Sequence, residues 1–127
     1  MTRDEIIKKL DTFVEAFHNY DLETVVSMFA ENGSAQQWTG QQVIGRKAIR
    51  EEGSKEFFNK QSGEISWTIE RVDVDELANV AWSIWTMHHA KDGKTANLRG
   101  CDTFEFDKEG LIVRNAAYVI SEQPKAF

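Results

Sequence analysis

The stretch "SIWTMHHAKDGKTANLRGCDTFEF", residues 83–106, decides the fold. At its centre Asp92-Gly93, flanked by Lys91 and Lys94, has the composition of a two-residue hairpin turn, whose residues must take positive φ. The flanks are long, rich in aromatic and β-branched residues and free of proline, as strands require. With Lys91 paired to Lys94, counting back along both arms sets Ser83 opposite Asp102. On the second arm Leu98, Gly100, Asp102, Phe104 and Phe106 share one face, while Asn97, Arg99, Cys101, Thr103 and Glu105 share the other. The first face is apolar except for one carboxylate.

Further strands extend this pair. If "DKEG" (107–110) is a four-residue loop, Phe106 pairs with Leu111 and Asn115 falls opposite Asp102. Ser83, Asp102 and Asn115 then form a polar row, with Trp85, Met87, Gly100, Phe104, Val113, Ala117 and Val119 around it. Upstream, "EISWTIERVDV" (64–74) alternates, and "NVAWSIWTMHHA" (79–90) is apolar on both faces, as in a central strand. Everything after residue 63 thus reads as an antiparallel meander.

The first part of the chain has helical spacing. Ile6, Leu10, Phe13, Val14 and Phe17 give an amphipathic helix over 3–19. Asp21 is an N-cap for a second helix over about 22–30, which "AENGS" stops at Asn32-Gly33. "SAQQW" is a short strand and "GQQVIG" a loop or strand edge. "RKAIREEGSKEFFNK" (46–60) is a third helix with Ile49, Phe57 and Phe58 facing inward. The tail "SEQPKAF" reads as loose. Helices followed by a meander make an α+β domain, single over 1–127, with helices on one face of a curved sheet.

Composition narrows the function. A formal net charge of −6, with no basic patch, argues against nucleic acid. No apolar run approaches the ~20 residues that span a bilayer. One cysteine cannot form an intrachain disulfide. With no signal peptide legible, the expected location is cytoplasmic, and Asn32-Gly33-Ser34 reads as a turn rather than a glycosylation site.

Asp102 has three readings. A buried charge must be paired, hydrogen-bonded or protonated. It can be the polar group of a cavity, where a neutral acid donates a hydrogen bond and stabilises an oxyanion. It can belong to a structural network with Ser83 and Asn115. With the register slipped by one, it faces water.

The segment "FHNYDLETVVSMFAENGSAQQWTGQQVIGRKAIRE" resembles the opening of SnoaL-like and ketosteroid-isomerase-like proteins of the NTF2-like superfamily. It carries Asp21, "MFAEN" and "GRKAIRE", and "FDKEGLIV" matches the later strands. The resemblance implies an NTF2-like cone, with N-terminal helices packed on a strongly curved antiparallel sheet that encloses a pocket. It also implies a homodimer joined through the outer sheet face. In the isomerases the base carboxylate falls at Gln37, the catalytic tyrosine at Phe13 and the oxyanion aspartate at Asp102, so one group of three is kept. The epoxide-hydrolase residues fall at Ser83, Trp85 and Ala117 and are not kept. The cyclase acid has no counterpart, Asn115 being the nearest polar group.

The implied function is binding of a small apolar or aromatic molecule, polyketide- or steroid-like. Asp102 is the candidate catalytic residue, and Phe13, Phe17, Gln37, Trp38, Ser83, Trp85, Met87, Asn115 and Ala117 are candidate ligand contacts. The enzyme reading is a cofactor-independent isomerase, cyclase or lyase. The alternatives are a carrier or sensor, and an interaction module. No metal site is expected, since the adjacent His88 and His89 point to opposite faces of a strand. His89 can reach the cavity rim but lies about six residue pairs from Asp102, roughly 20 Å. His18 can favour the end of the first helix. Tyr118 and Cys101 fall on the outer face.

Overall fold

The computed structural model describes residues 1–37, 39–56, 58 and 63–120. Three helices, α1 (Arg3–His18), α2 (Leu22–Ser27) and α3 (Arg46–Glu56), pack on a six-stranded sheet. Its strands are β1 (Phe29–Gln36), β2 (Gln42–Ile44), β3 (Glu64–Asp75), β4 (Val80–Lys91), β5 (Lys94–Phe106) and β6 (Ile112–Ile120), in the order β2-β1-β6-β5-β4-β3. The sheet is mixed. β3 to β6 form the expected meander, and β1 runs parallel to β6.

Local chemistry starts each helix. Thr2 caps α1 with its side chain on the Glu5 N–H while Glu5 returns a bond to the Thr2 N–H, a reciprocal capping box. Ile6, Leu10, Phe13 and Ala16 form the buried stripe of α1. Asp21 caps α2 by accepting from the Thr24 N–H at 3.1 Å. These helices close the inner face of the sheet over Phe29, Phe104, Phe106 and Ile112.

The turn at the centre of the meander is as read. Lys91 pairs with Lys94, Asp92 and Gly93 have φ +53° and +76°, and Ser83 stands opposite Asp102.

Two expectations are corrected. The second helix ends at Ser27, and the segment read as its last turn and stop is β1. Phe29 is drawn into the core beside Ile112, its carbonyl accepting from Arg46 Nε at 2.8 Å. Asn32-Gly33 occupies an irregularity of that strand, where Gly33 comes so close to β6 that a Cβ would lie 2.6 Å from the Ile112 carbonyl. The second correction is the β5–β6 register. Phe106 pairs with Ile112, not Leu111, and one residue is bulged before Glu105 pairs with Arg114. Together these shift the pairing by two, so Asp102 faces Ala117 and Asn115 faces Phe104. Asn115 and Ala117 keep the inner face; Val113 is the bulged residue and is exposed. Residues 57, 59–60 and 121–127 of the sequence-based elements lie outside the described residues.

Candidate functional site

Between the helices and the inner sheet face lies a cavity of about 100 Å³. β5 supplies Asp102 and Leu98, β4 supplies Trp85 and Met87, and β6 supplies Asn115, Ala117 and Val119. α1 contributes Phe13 and Phe17, and the β1 end contributes Ala35, Gln36 and Gln37. Val25, Phe29, Val43, Ile49, Glu52, Gly53 and Trp67 complete the wall. Apart from the amides and two carboxylic acids, the lining is hydrocarbon and aromatic.

Asp102 is only 7% exposed, which excludes the water-facing reading. Trp85 Nε1–H donates to its Oδ1 at 3.0 Å, and Asn115 Nδ2–H donates to its Oδ2 at 3.3 Å. The same Asn115 nitrogen donates to the Thr103 carbonyl at 3.1 Å, which fixes how the amide is turned. Burial pushes the Asp102 carboxyl up from 3.8 to about 6, against the two donors, which favour the charged form. The group therefore changes protonation close to neutral pH.

Gly100 makes the Trp85 contact possible. It pairs with Trp85, and a Cβ there would lie 2.4 Å from the indole Cζ2 and 2.5 Å from the Tyr118 carbonyl. The ring lies against bare β5 backbone, and from there its N–H reaches Asp102, two residues along. Aromatic rings continue the wall. Trp67 stacks toward Trp85 at 6.1 Å, Phe17 meets Trp67 at 4.5 Å and Phe58 at 4.6 Å, and Phe13 meets Phe104 edge-on at 5.3 Å.

A second cavity of about 10 Å³ adjoins the first behind Trp85, with Ser83, Asp102 and Trp67 on its wall. It has room for about one water molecule. The Trp67 indole N–H is buried and has no hydrogen-bond partner among the described residues.

Of the sequence-based candidates, Asp102, Phe13, Phe17, Gln37, Trp85, Met87, Asn115 and Ala117 all line the main cavity, and Ser83 lines the smaller one. Trp38 lies outside the described residues. His89 is on neither wall. His18 has a different role from that expected: its Nε2 accepts from the Trp67 backbone N–H at 2.9 Å, joining α1 to β3. Cys101 is half-buried on β5, its thiol pushed up by burial and by the neighbouring Asp102.

Sequence reasoning missed Glu52. It stands three residues after the buried Ile49, hence on the inward face of α3. An acid in register with the apolar stripe of an amphipathic helix was the available signal.

Comparison with known proteins agrees with this architecture. The model of the SnoaL-like domain matches residues 10–115, and the chain belongs to that family. Its fold is the NTF2-like cone shared with ketosteroid isomerases. One similar solved structure is a protein of unknown function with a cystatin-like fold from Methylobium petroleophilum PM1, with a TM-score of 0.79 and 21% identity, covering 100% of this chain and 83% of that one. Another is a Mycobacterium tuberculosis protein in complex with estradiol-17beta-hemisuccinate, with a TM-score of 0.77 and 18% identity, covering 90% and 92%. The Δ5-3-ketosteroid isomerase of a Mycobacterium species matches with a TM-score of 0.77 and 16% identity, covering 90% and 92%. At these identities the likeness is one of fold. No curated protein matches the chain in sequence.

Proposed function

We propose that the protein binds a small, largely apolar carbonyl or phenolic compound in the main cavity and acts on it as a cofactor-independent isomerase, cyclase or lyase. The observation that carries this reading is Asp102, a carboxyl group with both oxygens held by donors inside an apolar cavity and a pKa of about 6. A group so poised donates a hydrogen bond to a ligand oxygen when protonated and accepts one from a hydroxyl when ionised. A purely structural aspartate has no need of a cavity beside it.

Size favours small ligands within the proposed class. A volume of about 100 Å³ is below the ~300 Å³ at which drug-sized pockets begin. One or two fused rings suit it, and a steroid would have to extend through the mouth. The neighbour in complex with estradiol-17beta-hemisuccinate supports the class of ligand but not its dimensions.

The proposal includes a cytoplasmic homodimer. The outer face of the sheet supports the dimer: Ile84 stands opposite Cys101 and Cys101 opposite Tyr118, with exposed Trp82 one strand row away. The single cysteine fits a reducing compartment.

The test is a titration of the Asp102 carboxyl carbon by NMR, with and without 2-naphthol and 2-tetralone. A midpoint near 6 that moves on ligand addition is the expected result. A midpoint indifferent to every ligand, with no binding in parallel titrations of tryptophan fluorescence, would return Asp102 to a structural role.

A further inference from the structure

Besides Asp102, Glu52 is the one ionisable side chain among the described residues that line the main cavity. The two come from different layers, Asp102 from strand β5 and Glu52 from helix α3. Glu52 is half-buried, and its carboxylate enters none of the hydrogen bonds or ion pairs among the described residues. Arg50, on the same helix, points to α2 instead, its Nε bonding Glu23 at 2.8 Å. The helix itself is held close. A Cβ at Gly53 would lie 2.7 Å from Leu22 Cδ1, so α3 sits close against α2 beside Glu52. Among the described residues, this carboxylate on the wall of an apolar cavity has no structural partner to explain it.

We infer that Glu52 is the proton acceptor of this cavity, acting on a carbonyl compound whose oxygen is held at Asp102. The inference rests on the ligand-binding reading above. In the step, the C–H bond beside the carbonyl breaks and its proton passes to a Glu52 oxygen. The C–H electron pair becomes the new C=C bond, and the carbonyl π pair moves onto oxygen, where hydrogen bonding from protonated Asp102 stabilises it. Return of the proton from Glu52 to a conjugated carbon completes an isomerisation; where the Glu52 proton first exchanges with solvent, return to the same carbon completes a hydrogen exchange, and either way the carboxylate is restored. No oxidant or reductant enters the balance. The resemblance puts the isomerase base at Gln37, just past the end of β1, and an amide cannot accept the proton as a carboxylate does, whereas Glu52 lines the same cavity from α3.

The experiment measures hydrogen–deuterium exchange at the α-carbons of 2-tetralone in D2O, by proton NMR, for the wild type, Glu52→Gln and Asp102→Asn. Binding of the same probe is followed separately by quenching of tryptophan fluorescence. Wild-type protein should accelerate exchange over buffer. Glu52→Gln should lose about 100-fold or more of that acceleration, with its Kd for the probe within about threefold of wild type. Exchange in Glu52→Gln equal to wild type overturns the inference. So does a wild type that binds the probe without accelerating exchange, while the ligand-binding reading survives. Failure of the wild type to bind overturns both, and the fluorescence titration tells that outcome apart.

Discussion

At Asp102 two opposing influences meet, and their balance is measurable as stability. In the unfolded chain the side chain titrates near ~3.9, whereas in the fold burial holds it at about 6. Between those values the folded state keeps a proton that the unfolded state has lost. Stability from this group is therefore fully present below about pH 4, falls as pH rises, and is gone above about pH 6. Two pKa units correspond to about 3 kcal/mol. Asp102→Asn lacks the titration, so the urea-derived stability of wild type relative to this variant should fall by about that amount between pH 4 and pH 7. A difference constant with pH would mean that the carboxyl is not desolvated. Gly100 sets the same site from the other side. Gly100→Ala puts a methyl into the Trp85 ring and a backbone carbonyl that cannot move aside, at a cost of about 1–3 kcal/mol. It should also shift the Trp85 indole N–H resonance and raise the Asp102 midpoint, because a donor to the carboxylate is lost. An unchanged indole resonance would refute that geometry. Asp102 was legible in the sequence because period-two alternation left one acid in an apolar stripe. Its donors were only half legible: Asn115 shares its face, but a tryptophan reads as core until its N–H is seen to point at an acid.

Elements were legible where turn chemistry fixes register and illegible where the strand itself deviates. Asp92-Gly93 allowed one hairpin, and all pairs from Lys91–Lys94 back to Ser83–Asp102 followed from it. Gly93 has nothing within 4 Å of where a Cβ would stand, so Gly93→Ala tests the backbone alone at φ +76°. The expected cost is about 1–2 kcal/mol, read from the urea midpoint with the m-value unchanged. A neutral substitution would mean that the turn relaxes to another type. The loop between β5 and β6 gave no such constraint. Val113 is as apolar as Ile112, so pattern alone could not tell which of them is bulged. In β3 the equivalent irregularity leaves a trace: inward residues step from Ile69 to Val72, a change of parity, and the β3–β4 register shifts there. β1 was hidden for a different reason. Helical spacing runs through Phe29, but pairing with β6, a contact remote in sequence, overrides it.

On the scale of the whole molecule the sheet has two apolar faces with different fates. The inner face is covered by helices and holds the cavity, and this arrangement was legible as α+β with a cone because motif and periodicity agreed. The outer face is uncovered in one chain, leaving Trp82 53% and Tyr118 45% exposed together with Ile120. Aromatic residues clustered on a sheet face form the centre of an interface more often than a solvated surface. The homodimer proposed here buries them against a second copy. A charge there stays solvated in the monomer and becomes buried in the dimer, so it penalises association selectively. The double variant Trp82→Arg, Tyr118→Arg should therefore elute as a monomer of 14.5 kDa by light scattering, where the wild type elutes at twice that mass. Its far-ultraviolet circular dichroism should match wild type, since neither side chain supports the inner core. A wild type that is monomeric at high concentration, or a variant that remains dimeric, would remove this face as the interface. Neither result would touch the cavity, whose sheet residues Trp85, Asp102 and Asn115 lie on the opposite, inner face.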